Sequence, residues 1–115
     1  MGVVWLMKLF KHSNMTRGWF VGDFEPTAWP TKDFEVGFRT HKPTDPQDHH
    51  FHTLVTEINL ITSGRMILQD TELVSGDIFI LYPWEITNPQ FLEDTSIICV
   101  KVPSMNDKQS LSLGV

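Results

Sequence analysis

The segment His49-His50-Phe51-His52-Thr53-Leu54-Val55-Thr56-Glu57 holds the residues best suited to chemistry. On a β-strand, residues two apart project from the same face, so His50 and His52 can aim both imidazoles at one point. Neutral imidazole is the commonest protein ligand for Zn, Fe, Ni and Cu. Glu57 stands at an odd offset from His52, which would put it on the opposite face of an unbroken strand. To join the histidines, the chain must bend or bulge between Leu54 and Thr56, or pass into a neighbouring strand. Two histidines and a carboxylate on one side of a metal leave positions open for substrate, water or dioxygen. Taken alone, His-x-His carries little weight, because paired surface histidines are common.

Other side chains belong to the same question. Glu57 lies in the apolar run Val55–Ile61, where an unpaired carboxylate is costly and needs a metal, a cation or hydrogen-bond donors. A salt bridge to Arg39 or Lys101 is the structural alternative. Asn59, two residues on, shares the face of Glu57 and is expected to line the same pocket. Glu85, in Pro83-Trp84-Glu85, reads as a general base, a ligand or a solvated turn residue. Phe38, Trp84 and Phe91 could wall the pocket or fill the core. His49 is expected to face away, His12 and His41 to be surface residues, and Cys99 to be a small buried hydrophobe.

The elements that must position these groups are short β-runs separated by turn residues. Trp19–Val21 ends at Gly22-Asp23, and Phe34–Thr40 alternates with Phe34, Val36 and Phe38 on one face. Lys42–Asp48 is a loop rich in turn formers. His49–Thr62 reaches a turn at Ser63-Gly64, Arg65–Gln69 a turn at Asp70-Thr71, and Ile78–Leu81 is closed by Pro83. Thr95–Val102 is the last strand, stopped by Pro103. Gly64 and Gly76 read as turn positions with positive φ. No stretch has a capped helical period, so the chain is expected to be all-β, a sandwich or barrel.

Length and composition narrow the rest. The 115 residues make one domain, and 41% hydrophobic content supplies a core. Net charge is −5 with scattered basic residues, which argues against nucleic acid or an anionic membrane as partner. The single cysteine excludes an internal disulfide and a Cys-rich zinc site, and is consistent with a cytoplasmic location. Val3–Phe10 is too short to span a membrane and lacks the layout of a signal peptide. It reads as an extra strand or a loose tail, and Met15 is an alternative start to Met1. The chain thus divides into an N-terminal extension (1–17), a barrel (18–103) and a polar C-terminal tail (104–115).

His50-x-His52, four residues, Glu57, six residues and Gly64 resemble the first motif of the cupin superfamily. Thr44 replaces that motif's leading Gly. A second motif is degraded: Gly76 and Pro83 fit, but Glu85 replaces a Gly, Asn88 the fourth metal-ligand His, and Leu92 the closing Asn. The resemblance implies an antiparallel double-stranded β-helix, or jelly-roll barrel. It also implies a divalent metal (Fe, Mn, Ni, Zn or Cu) on His50, His52 and Glu57. Because Asn88 stands at the fourth position, three outcomes are open: three protein ligands, help from Asn88 or Glu85, or no metal and a polar ligand bound directly. A homodimer is implied too, for which the apolar N-terminal run is a candidate interface element.

Three functions follow. The first is a metal-dependent enzyme acting on a small polar substrate. The second is a non-catalytic barrel holding a sugar or organic acid without metal, for which the Asn88 and Glu85 departures speak. The third, ranked last, is metal-free isomerase chemistry using a histidine and a partner acid.

Overall fold

The computed structural model describes residues 2, 6–46 and 49–111, and every element in it but one is a strand. A single 3-10 turn, His12–Asn14, precedes β1 (Trp19–Gly22), β2 (Trp29–Pro30), β3 (Glu35–His41) and β4 (His50–His52). Then come β5 (Thr56–Ser63), β6 (Arg65–Leu68), β7 (Thr71–Val74) and β8 (Ile78–Leu81). Last are β9 (Gln90–Phe91), β10 (Thr95–Val102) and β11 (Lys108–Ser110). They form a six-stranded sheet in the order β2-β1-β3-β10-β5-β8, a three-stranded sheet β7-β6-β9 and a pair β11-β4. No helix among the described residues is long and apolar enough to cross a membrane.

Alternation along the central strands decides which side chains face inward. In β10, Thr95, Ile97, Cys99 and Lys101 are buried while the residues between them are less so. Register then aligns the inner face in rows. Glu35, Lys101, Glu57 and Leu81 stand abreast on β3, β10, β5 and β8. Gly37, Cys99, Asn59 and Phe79 form the next row, and Arg39, Ile97 and Ile61 the one after. At the apolar end, Ile61, Met66, Leu68 and Ile97 make the core, packed by Leu73, Phe79, Leu81 and Phe91. Phe38 falls on the outer face by the same alternation, so β3 offers the interior Glu35, Gly37 and Arg39 instead of its apolar set.

Turn chemistry fixes this register. Gln69 and Asp70 both have positive φ, 48° and 60°, forming a tight two-residue hairpin loop between Leu68 and Thr71. Gly64, at φ 98°, lies so close to the β10 entry that a Cβ there would stand 2.4 Å from the Asp94 carbonyl oxygen.

The two ends of the chain differ. Leu6, Met7 and Leu9 are largely exposed and outside any strand, while Val3–Trp5 lie outside the described residues. At the other end, the expected polar tail is part of the fold. Ser104 and Asp107 are buried, and Lys108–Ser110 pair with β4, aligning Lys108 with His52. Residues 112–115 lie outside the described residues.

Candidate functional site

A cavity of about 520 Å³ opens between the sheets, within the range of small-molecule sites. His50 and His52 reach it from β4, and Glu57 and Asn59 from β5. The break demanded between Leu54 and Thr56 is present: β4 ends at His52, the chain turns, and β5 begins at Thr56. Asp107 builds that turn. Its Oδ2 accepts the backbone N–H groups of Thr53, Leu54 and Val55 at 3.0, 2.7 and 2.9 Å. These donors are buried or half-buried and would otherwise lack a partner, a cost the carboxylate removes.

The other oxygen of Asp107 acts on the site itself. Oδ1 lies 2.7 Å from His52 Nδ1, which directs Nε2 toward Glu57, whose Oε1 is 3.5 Å away. The imidazole is therefore held between two carboxylates, both largely buried. Its pKa is raised: the contact with Glu57 favours the imidazolium, burial opposes it, and Asp107 adds to the rise. For Glu57, burial pushes the pKa up, but His52 and Lys101 outweigh it and the net shift is downward. Burial also pushes Asp107 up, yet the Leu54 and Val55 N–H groups and His52 hold it at about 2. At neutral pH Glu57 is thus a carboxylate, and both acids beside His52 shift it toward its imidazolium form.

Lys101 is directly opposite Glu57 in the β5–β10 ladder. Its Nζ donates to the Met105 carbonyl at 3.1 Å and sits 3.7 Å from Glu35 Oε1. Of the two cations expected as structural partners of Glu57, Lys101 is the one abreast of it. Cys99 lines the same wall, with Sγ 3.7 Å from Glu57 Oε1. Burial followed by the Glu57 charge drives its thiol pKa above the range where a thiolate forms.

Other expected site residues lie elsewhere. Trp84 is 66% exposed and stacks on Phe51 outside the cavity. The Glu85 carboxylate accepts from the Tyr82 N–H and from the Gln69 side chain, closing a surface turn. Asn88 follows Thr87, which pairs with His50 and lines the cavity, but Asn88 itself is not among the lining residues. Its Oδ1 is buried without a hydrogen-bond partner. Phe91 does line the cavity, stacked on His41 at 4.6 Å.

The four-ligand set implied by the resemblance does not close. Among the described residues, no three His, Cys, Asp or Glu side chains gather as a metal would need. His52 and Glu57 face each other, the His50 ring lies edge-on to His52 at 6.0 Å, Asn88 is outside the cavity lining, and Lys101 puts a cation beside Glu57. Asp107, the residue that orients His52, has no signal in the sequence: it is a lone acid in a polar stretch past the last long strand.

No protein-family model matches the chain, and no curated protein matches it significantly. Solved structures do. A conserved protein with a double-stranded β-helix domain from Klebsiella pneumoniae aligns with TM-score 0.62 and 21% identity, over 70% of this chain and 71% of that one. The Streptomyces nucleoside dehydratase Pac13 aligns with TM-score 0.58 and 11% identity, over 70% of each chain, and variants of it are known with uridine. An RmlC-like cupin protein from Ralstonia eutropha aligns with TM-score 0.56 and 13% identity, over 70% of this chain and 60% of that one. At these identities the likeness speaks for architecture, and the chain has the double-stranded β-helix fold of RmlC-like cupins.

Proposed function

We propose that the cavity binds a small polar molecule and transforms it by proton transfer, with Glu57 as base and His52 as acid. The observation that carries this reading is the placement of His52 between Asp107 and Glu57 at the cavity wall. In an elimination, Glu57 takes the proton from carbon, a C=C bond forms, and the His52 imidazolium protonates the departing hydroxyl to water. In an isomerisation, the same pair removes and returns a proton at neighbouring atoms. Asp107 is a positioning residue that fixes the His52 tautomer and stabilises its charge. The metal-free chemistry ranked last from sequence therefore moves ahead, supported by a fold shared with a nucleoside dehydratase.

Solvent-deuterium incorporation tests this reading. A panel of nucleosides, hydroxy-ketones and sugar acids is incubated with protein in D2O and followed by NMR. Exchange at carbon or loss of water is expected for some member, falling by about 10²-fold or more in His52→Gln. Saturable binding without exchange would leave a binding barrel in place of an enzyme.

The metal reading retains one support: an imidazole anchored through Nδ1 on a carboxylate is the arrangement that orients metal ligands. Metal content of untagged protein, beside a His50→Ala/His52→Ala variant, decides it. Near-stoichiometric metal lost in the variant would restore the metal-dependent reading. A reducing, cytoplasmic location suits the free Cys99 thiol. A homodimer is supported by the outer face of the large sheet, where alternation leaves the outward positions of β3, β5, β8 and β10 without a charged side chain.

A further inference from the structure

The inner face of the large sheet is polarised along its strands. Glu35 and Glu57 flank Lys101 in one row, two carboxylates to one ammonium, and Asp23 joins that end, its backbone N–H donating to Ser104 Oγ, which itself contacts Glu35. Arg39 lies two rows away, about 14 Å along β3 at strand spacing. Arg39 lines the cavity, half-buried, and no carboxylate among the described residues stands within ion-pair distance of it. The cations acting on Glu57 are His52, Lys101 and His50; Arg39 is not among them.

A second guanidinium joins it. Arg17 and Gly18 form a tight turn with positive φ, 53° and 85°, closed by the Thr16–Trp19 bridge. Arg39 Cγ passes 3.0 Å from where a Cβ on Gly18 would stand, so the Arg39 stem lies against the Arg17 turn. Arg17 also lines the cavity and has no carboxylate partner among the described residues. Asp45, beyond the end of β3, is held by the Lys42 N–H and lies 4.0 Å from His41.

Between the two ends sits an unanswered donor. Asn59 is 5% exposed and lines the cavity in the middle row, and its Nδ2 has no hydrogen-bond partner. A buried amide N–H left unmade costs free energy that a ligand oxygen would recover. Two arginines without a carboxylate partner among the described residues, and a buried donor halfway to the acid end, are what an anionic ligand would complete.

We infer that the cavity takes a small oxyanion-bearing molecule, its carboxylate or phosphate on Arg39 and Arg17 and a further oxygen on Asn59 Nδ2. This rests on the proposed proton-transfer site and names its substrate class: an acid rather than a neutral sugar or nucleoside. The Phe79 and Phe91 rings beside the apolar core give the body of such a ligand an apolar wall.

Calorimetric titration with benzoate, phenyl phosphate and neutral benzyl alcohol tests the inference. Both anions or one of them should bind saturably, about tenfold or more tighter than the alcohol, and the preferred anion separates carboxylate from phosphate. Arg39→Gln should weaken the anion about tenfold or more and leave the alcohol unchanged. Arg17→Gln, at an exposed turn, gives the same reading should Arg39→Gln fail to fold. Anions binding no better than the alcohol, or equally well in both arginine variants, would overturn it. Selective anion binding without deuterium exchange would strike the proton-transfer reading alone, and exchange without selective anion binding the anion site alone, so the two failures are separable.

Discussion

Asp107 and His52, far apart in the chain, meet at 2.7 Å, and the same carboxylate ties down the three N–H groups that follow His52. One side chain thereby shapes the turn between β4 and β5 and sets the direction of the imidazole. The carboxylate that builds the site is also a fold element, so its loss should be felt in both stability and protonation.

Replacing Asp107 with Ala leaves the buried Val55 N–H and the half-buried Thr53 and Leu54 N–H groups without that acceptor. A loss of about 2–4 kcal/mol is expected in urea unfolding. Asp107→Asn keeps one acceptor oxygen and should cost less. In both variants the His52 pKa, read by NMR of the ring protons, should fall, because one of the carboxylates favouring the imidazolium is gone.

The pH dependence of stability has two limbs. Asp107 is held at about 2 against a usual 3.8, so its contribution of about 2 kcal/mol is complete above the usual value and is lost as pH falls toward 2. Glu57, also lowered, adds a loss of the same sign below its usual 4.5. His52 is raised, so its contribution is complete below 6.5 and is lost as pH rises through the folded value. From these three groups stability should be greatest between about 4.5 and 6.5, with His41, whose pKa burial lowers, opposing His52 in that window. Urea midpoints across pH check this: Asp107→Asn should flatten the acid limb, and His52→Gln the alkaline one.

Much of this arrangement is legible in the sequence, for local reasons. Gly64, Gly76 and Pro83 punctuate the strands where the turns form, and Thr95–Val102 matches β10 in both bounds. His50, His52, Glu57 and Asn59 can be picked out because two-residue periodicity governs which side chains share a face. The break after His52 follows from the odd offset of Glu57. Phe38 is misread because apolarity suggests an inward face, whereas the inner face of β3 carries Glu35 and Arg39 and its apolar side turns out. Asp107 is beyond reach because its role depends on the chain returning to β4, a long-range pairing with no local pattern.

Cys99 should be chemically silent. It is buried, and its thiol is held far above neutral pH by burial and by Glu57. Iodoacetamide at neutral pH should leave it unmodified in the native protein and label it fully in denaturant, as read by intact mass. Rapid native labelling would mean that the cavity wall opens or that Glu57 stands elsewhere.

The outer face of the large sheet supplies the last prediction. Ile58, Ile78 and Ile80 are 39, 68 and 43% exposed, and Phe38, Leu60, Ile98 and Val100 lie on the same side. With no charged side chain among the outward positions of these strands, the face meets no like-charge repulsion when it packs on its own copy. A two-fold interface is self-complementary by construction, and an uncharged sheet face satisfies that without matched partners. Light scattering should give twice the chain mass, and Ile80→Glu, at the edge of the patch, should shift the equilibrium to monomer with the circular dichroism spectrum unchanged. A monomer mass for the wild type at micromolar concentration would leave this face bare and sink the dimer reading, while the His52–Glu57 site, on the opposite face, would be unaffected.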